Sequence, residues 1–370
     1  MSFLTDVCSI QYGYPFDSAL FNSNDGTPLV RIRDVVPGFS NTYTTEKCDE
    51  CYYVENDDML IGMDGEFNIA YWKGGHAYLN QRVCKIIPKE GVHKRYLFYQ
   101  LMPILKRIEN RTAFVTVKHL SAKELNKIEL SLPDFPRQQR IADTLDKVSE
   151  GIGLCRKMLG KLDLMVKAKF VEMFGDAHNN SAFPYKNIGD LTTVTSGGTP
   201  DRENNLYWDD GDIRWVKTTE LQNCTICDTE EKITKLGLEN SSAKLVPTGS
   251  VLIAMYGQGK TRGMTAYLEN ESATNQACAC VLPSSKINQK YLWQYLMLSY
   301  DALRAMAKGG NQPNLNISMI KNFPVLYPPM ELQNQYVEFV TYINKSVLTI
   351  KMILAKMEME KLALMQEYFK

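Results

Sequence analysis

The chain has 370 residues, 44% of them hydrophobic and 23% charged, enough to bury two or three cores and to exclude a disordered chain. Lysine plus arginine and aspartate plus glutamate number 42 each, so a surface for a polyanion has to be local, with the compensating acid elsewhere. No apolar run reaches the roughly 18 residues that span a bilayer, no signal-peptide pattern opens the sequence, and nine scattered cysteines read as reduced thiols; the expectation is a soluble, cytoplasmic protein with no membrane partner.

From the amino terminus, residues 1–136 carry short β-branched and aromatic runs broken by Gly, Pro, Asn and Asp, read as the strands of a mixed globular domain. Pro133 and Pro136 end that pattern, and residues 137–176 read as one long helix. Residues 177–331 then repeat the first domain. Trp215-Val216-Lys217 answers Leu29-Val30-Arg31, Leu252-Ile253-x-Met255-x-Gly257 answers Leu60-Ile61-x-Met63-x-Gly65, and Asn275-Gln276 answers Asn80-Gln81. The offset is a constant 195 from Tyr96-Leu97 and Tyr291-Leu292 through Leu120 and Leu315, Gln138 and Gln333, and Glu172-x-Phe174 and Glu367-x-Phe369. A helix is predicted over 291–308, and residues 332–370 form the second long helix. The fold class is α+β: two tandem mixed α/β domains joined by two long helices in an antiparallel coiled coil, pseudo-twofold symmetric.

Apolar side chains in the first long helix fall at Ile141, Leu145, Val148, Ile152, Cys155, Leu159, Leu162 and Val166, alternating steps of four and three. The second helix matches with Tyr336, Val340, Ile343, Val347, Ile350, Leu354 and Met357, breaks at Lys361 and resumes at Leu364 and Tyr368. Such a seam needs a partner helix, and the economical partner is the other copy, as an antiparallel rod of roughly 57 Å that keeps the two domains apart. The alternative is that each helix packs on its own domain. Gly151, Gly153 and Gly160 weaken the first helix by about 1 kcal/mol each, which pairing has to offset.

Between Lys94 and Lys127 eight Lys or Arg, beginning with Lys94 and Arg95, face only Glu109 and Glu124, a local balance of +6. Between Lys286 and Lys321 five face Asp301 alone, giving +4. A basic strip at the same place in both copies suits phosphate contacts; a solvated helix face is the bland alternative. Reading bases takes side chains with paired donors and acceptors. On predicted loops these are Arg31, Arg33, Asn80, Gln81 and Arg82 in the first domain. In the second they are Lys217, Thr218, Tyr256, Gln258, Lys260, Arg262, Asn275 and Gln276, with Lys308, Asn311 and Gln312 around the Gly309-Gly310 turn. Asn80-Gln81 and Asn275-Gln276 equally suit buried residues that tie strands together.

Three motifs suggest other chemistry. Ala254 through Gly259-Lys260-Thr261 has the loose form of a phosphate-binding loop, but Arg262-Gly263-Met264-Thr265 opens poorly as the helix that motif needs. Pro200-Asp201 with Glu230-x-Lys232 outlines a magnesium nuclease, without a counterpart in the first copy. Cys48-x-x-Cys51 and Cys224-x-x-Cys227 offer thiolates for zinc, at positions that do not correspond between the copies. The catalytic and metal residues are therefore expected to be none.

Thr195-Ser196-Gly197-Gly198-Thr199-Pro200, Tyr207-Trp208 and Gly211-Asp212-Ile213-x-Trp215-Val216-Lys217-Thr218 resemble the opening of a target recognition domain in the specificity subunits of type I restriction-modification systems. Gln138-Gln139-Arg140-Ile141-Ala142, the heptads and Glu172-Met173-Phe174-Gly175-Asp176 resemble the helical region after such a domain. The first copy departs from the family, with Gly13-Tyr14-Pro15-Phe16 where the second has Gly-Gly-Thr-Pro. The resemblance implies a non-catalytic subunit that binds a split double-stranded DNA site, one half per domain, and docks two methyltransferase subunits and, in the full complex, restriction and translocase subunits. It places S-adenosylmethionine, ATP and magnesium on those partners. The competing expectations are a magnesium-dependent nuclease and a coiled-coil adaptor that binds only proteins.

Overall fold

The computed structural model describes residues 2–111, 118–178, 182–257, 259–307 and 314–369. The chain forms two compact units, residues 1–156 with 351–370 and residues 157–350. The division falls inside the two long helices.

The first unit contains strands β1 (Cys8–Tyr12), β2 (Thr27–Val30), β3 (Met59–Gly62), β4 (Ile69–Tyr71), β5 (Ala77–Leu79) and β6 (Val83–Pro88), followed by helix α1 (Lys94–Arg111). One sheet runs β1-β6-β3-β4, all antiparallel, with Cys84 opposite Ile61. In the other, β2 and β5 lie parallel, with Leu29 opposite Tyr78 and Val30 opposite Leu79. β3 is apolar without a break because both of its faces are covered. Met59 and Ile61 point into a cluster with Leu97, Leu101 and Leu105 of α1, while Leu60, on the opposite face, joins Val30, Leu79 and Val83.

The first long helix, α2 (Phe135–Phe174), starts two residues before the position expected from Pro136. Proline in a first turn costs no hydrogen bond, and the Asp134 carboxylate accepts the Arg137 N–H at 3.1 Å.

The second unit repeats the pattern with β7 (Val194–Ser196), β8 (Ile213–Val216), β9 (Cys224–Ile226), β10 (Val251–Ala254), β11 (Thr265–Leu268), β12 (Ser272–Thr274) and β13 (Cys278–Val281). Its first sheet runs β7-β13-β10-β11-β9, with Ala279 opposite Ile253 in the register of the first unit. β8 and β12 are parallel, with Val216 opposite Thr274. Val251 and Ile253 pack with Leu292 and Leu296, whereas Leu252 and Ala254 pack with Val216. The helix expected over 291–308 is two helices, α3 (Gln289–Leu298) and α4 (Tyr300–Ala305). It starts earlier because Asn288 accepts the N–H groups of Lys290 and Tyr291 at 2.9 and 3.2 Å. It breaks at Ser299, whose ψ of 15° leaves the helical region.

The second long helix, α5, spans Met330–Tyr368. Along the two seams Ile141, Leu145, Val148, Ile152, Val340, Ile343 and Ile350 are buried, and Leu159, Leu162, Val347, Leu354 and Met357 are half-buried. In the first unit Ile141 and Leu145 share a cluster with Leu364, Met365, Tyr368 and Phe369, and Arg156 pairs with Glu358 at 2.7 Å, so the helices are antiparallel there. Tyr96 and Tyr99 of α1 belong to the same cluster, so the helix start packs on its own domain as well as on its partner helix. In the second unit Phe170 meets Tyr336 edge-on, with ring centroids 5.5 Å apart, and Phe174 is buried beside both. Full burial of each such ring contributes about 2 to 3 kcal/mol.

Candidate nucleic-acid interface

In each unit three loops are held side by side by the same backbone bonds. Where β2 ends, Arg31 donates its N–H to Asp34 at 3.0 Å; where β8 ends, Lys217 donates to Glu220 at 2.9 Å. The residue after each parallel partner strand closes onto that end: Asn80 N–H to Val30 O at 3.2 Å, and Asn275 N–H to Val216 O at 3.0 Å. The loop after the central strand joins next, with Met63 N–H to Arg82 O at 2.9 Å and Met255 N–H to Ala277 O at 2.9 Å. Leu120 and Leu315 donate back to Met63 and Met255 at 2.7 and 3.0 Å. Gly13 and Gly197 press against this frame so closely that a Cβ would stand 2.1 Å from Asn80 O and 2.0 Å from Thr274 O. The first copy therefore keeps the close approach of its glycine despite lacking the Gly-Gly-Thr-Pro motif.

The frame displays cations. Arg31, Ile32, Arg33, Asn80 and Arg82 line a recess of about 200 Å³. The Arg33 side chain is 66% exposed and donates to Thr42 Oγ1 at 2.8 Å. Arg82 is paired with Asp64 at 2.8 Å, and Asp64 in turn holds His119 at 2.5 Å. Gln81 is exposed, but Asn80 is buried and its side chain accepts the Arg82 N–H at 3.3 Å. In the second unit Tyr256 and Lys260 are exposed on the loop between β10 and β11, with half-buried Arg262 beside them. Gln276 is exposed and accepts from Thr199; half-buried Asn275 accepts the Ala277 N–H at 3.2 Å. Thr218 is half-buried in the turn that Lys217 opens.

Several expected contacts are committed elsewhere. Asn80 serves the frame, the strand-tying alternative. Lys217 Nζ bonds Glu230 at 2.8 Å and Glu231 at 3.0 Å, and these carboxylates raise its pKa. Arg95 is bound by Asp146 and, at 2.7 Å, by Asp143 of α2, so it ties α1 to the long helix. Lys94 donates to Asp57 O and lies over the Tyr71 ring. Lys106 and Lys118 flank buried Glu109 at 2.9 and 3.5 Å, and Lys286 donates to Asp190 O at 3.0 Å. The basic strips are thus partly internal struts. Arg107, Arg111, Lys123, Lys127 and Lys321 remain exposed. Gln258, Lys308, Asn311 and Gln312, with the Gly309-Gly310 turn, lie outside the described residues.

Sequence reasoning missed Asp64 and Arg202, and it counted Arg304 only as part of the second basic strip, whereas its guanidinium binds the carbonyls of Gly259 and Arg262. The Arg202 guanidinium lies 3.8 Å from the Trp208 ring centroid and 4.6 Å from that of Trp215, and pairs with Glu231 at 2.6 Å. The pair Tyr207-Trp208 was the one local signal for it.

The tempting motifs dissolve in the geometry. The Gly259-Lys260-Thr261 stretch leads into strand β11, where a phosphate-binding loop requires a helix. Glu230 is taken by Lys217, and Asp201 caps the Glu203 N–H at 3.0 Å. All nine cysteines are free, and among the described residues no three His, Cys, Asp or Glu stand where they could hold a metal ion. None of the described helices is long and apolar enough to cross a membrane.

Two domains with one register, the same loop frame and cations on it, each running into a long helix, define a duplicated recognition module. A family model described as the type I restriction modification DNA specificity domain matches residues 1–162 and 180–359, once per copy, and the chain belongs to that family. Among curated relatives, the EcoBI specificity subunit of Escherichia coli is 39% identical over 166 residues, covering 44% of this chain and 35% of that protein. The MjaIX specificity subunit of Methanocaldococcus jannaschii is 26% identical over 282 residues, covering 70% of this chain and 64% of the relative. The chain thus spans less than two thirds of the length of these relatives. In fold it is similar along its whole length to a type I S subunit from M. genitalium, with a TM-score of 0.63, 13% identity and 95% of that chain covered. It is also similar to a chain from a structural study of type I complex assembly, with a TM-score of 0.57, 16% identity and 97% covered.

Proposed function

We propose that this chain is the sequence-reading subunit of a type I restriction-modification complex, binding a split double-stranded DNA target with one half read by each domain. The observation that carries this is the duplicated loop frame, which brings Arg31, Arg33 and Arg82 together in one copy and presents Lys260 and Arg262 on the loop after the central strand of the other, in a chain of this family. One correct base pair supplies only about 1 to 3 kcal/mol, so a domain reading roughly three to five pairs discriminates weakly alone and two together discriminate well. The chain performs no catalysis in this reading and works in the cytoplasm. S-adenosylmethionine, ATP and magnesium serve the methyltransferase, restriction and translocase subunits.

The long helices supply a place for such partners. Met352, Ala355, Met359 and Leu362 form a second seam on α5, spaced three, four and three, and all are exposed, Met359 by 66%. A helix of another subunit is the occupant that spacing suits.

The test is methylome sequencing of cells with and without the gene, expected to reveal one gapped methylated motif that depends on it. Exchange of residues 181–330 for those of a homologue is expected to change one half of the motif and leave the other half and the spacer intact. A motif without a gap, or DNA cleavage by the purified chain with Mg²⁺ alone, contradicts the proposal.

A further inference from the structure

The loop between β10 and β11 presents Tyr256, Lys260 and Arg262, and the strands tie it at its base, with Gly263 N–H to Ala254 O at 2.9 Å. Helix α4 holds it from behind by three carbonyls. Arg304 donates Nη1–H to Arg262 O at 2.8 Å and Nη2–H to Gly259 O at 2.9 Å, and the Tyr300 hydroxyl donates to Lys260 O at 2.6 Å. Arg304 Nη1 also bonds the Tyr300 oxygen at 3.1 Å, which locks the two side chains together. A guanidinium is planar and its donors diverge at fixed angles, so two carbonyls bound by one fork fix both the height and the tilt of the loop.

The first unit has a carboxylate at the same station. Glu109 stands 195 positions before Arg304, the offset of the repeat. It is buried, and it accepts the Phe67 N–H at 3.3 Å from the loop between β3 and β4, which corresponds to the loop that Arg304 holds. Lys106 and Lys118 bond the same carboxylate. The polarity is inverted and the task is the same: where the loop turns a carbonyl inward the helix offers donors, and where it turns an N–H inward the helix offers an acceptor. A merely solvated helix face would not pair a charged side chain, acidic in one copy and basic in the other, with the backbone of the same loop.

We propose that Arg304 and Glu109 are positioning residues for sequence recognition: each sets the course of the loop after the central strand and thereby which bases its domain accepts. This rests on the DNA-reading function proposed above. Neither residue contacts DNA. Base-edge recognition by paired donors and acceptors tolerates little displacement, on the order of 0.5 Å, so a loosened loop reads its half-site less strictly while the rest of the complex works.

The experiment is methylome sequencing of cells expressing the complete complex with Arg304→Met, Arg304→Lys or Glu109→Met. Arg304→Met is expected to lower the preference for at least one base in the second domain's half by about tenfold, with the other half and the spacer as in the wild type. Arg304→Lys, which keeps the charge and loses the fork, gives a smaller change in the same half. Glu109→Met loosens the first domain's half only. Wild-type halves in whichever Arg304 variant still modifies DNA, or loss of modification in both, overturns the proposal. Failure of the parent reading is recognised separately, because the unsubstituted complex then yields no gapped motif.

Discussion

Phe369 meets Tyr96 edge-on, with ring centroids 5.4 Å apart, so the end of α5 helps to close the hydrophobic core beside the first domain. The repeat predicts a twin of this contact and the twin exists: Phe174 meets Tyr291 at 5.5 Å. The twins differ in burial, since Phe174 is 1% exposed and Phe369 is half-buried. Phe174→Ala is expected to cost about 3 to 5 kcal/mol, the range for a core phenylalanine, and Phe369→Ala about 1 to 2 kcal/mol. Denaturant unfolding of the two variants checks this; equal costs would contradict the packing described.

Exposed and neutralised cations separate under salt. Each phosphate contact contributes about 0.9 to the slope of log binding constant against log salt. Lys260→Ala is expected to reduce the slope by about one contact, whereas Lys217→Ala and Arg95→Ala leave it unchanged, because their charges are held by Glu230 with Glu231 and by Asp143 with Asp146. Titration of a duplex carrying the recognised motif at several salt concentrations decides.

The Glu109 carboxyl is held below its usual range, first by the hydrogen bond from Lys106 and then by those from Phe67 N–H and Lys118. A depressed carboxyl contributes stability that is complete above the ordinary glutamate value, near 4.3, and is lost as the pH falls through the lower value of the folded state. Stability measured from pH 7 down to pH 3 should therefore fall more steeply below about pH 4 in the wild type than in Glu109→Gln. Parallel curves would refute this.

Met352→Glu with Met359→Glu places two charges on the open seam of α5 without touching the buried one. The double variant is expected to unfold at the wild-type midpoint and to fail to co-purify with the methyltransferase subunits. Normal assembly would remove that seam from consideration as the docking face.

Gly153 and Gly160 sit in α2 with nothing within 4 Å of the site of a Cβ. Replacing each with alanine should raise stability by about 0.5 to 1 kcal/mol, read from the unfolding midpoint. Gly151 differs, since its Cβ would come within 2.1 Å of Met357 Cε, the mobile end of a side chain.

The duplication was legible because structure enforces it residue by residue. Gln138 and Gln333 are buried, and each accepts from the backbone of the segment before a helix, His93 N–H and Asn288 N–H, both at 2.9 Å. Each donates to the carbonyl five residues back, Pro133 O and Pro328 O, both at 2.8 Å. A glutamine doing two jobs in a closed space cannot be exchanged cheaply, so it survives as a repeat signal. The helix seams were legible for the same reason, as spacing follows geometry. The site was less so. Whether a lysine or arginine is free depends on carboxylates and carbonyls remote in sequence, as at Lys217, Arg95 and Arg304, and composition cannot report such pairings. Asn80, a candidate reader by residue type, is buried by a strand that only the fold brings near.

The packing of Phe369 on Tyr96 also bears on biosynthesis. During translation the first domain leaves the ribosome with an apolar flank uncovered, and the segment that covers it is made only after the second domain. A product that stops before α5 would expose that flank, giving quality-control proteases a handle that chains carrying α5 lack.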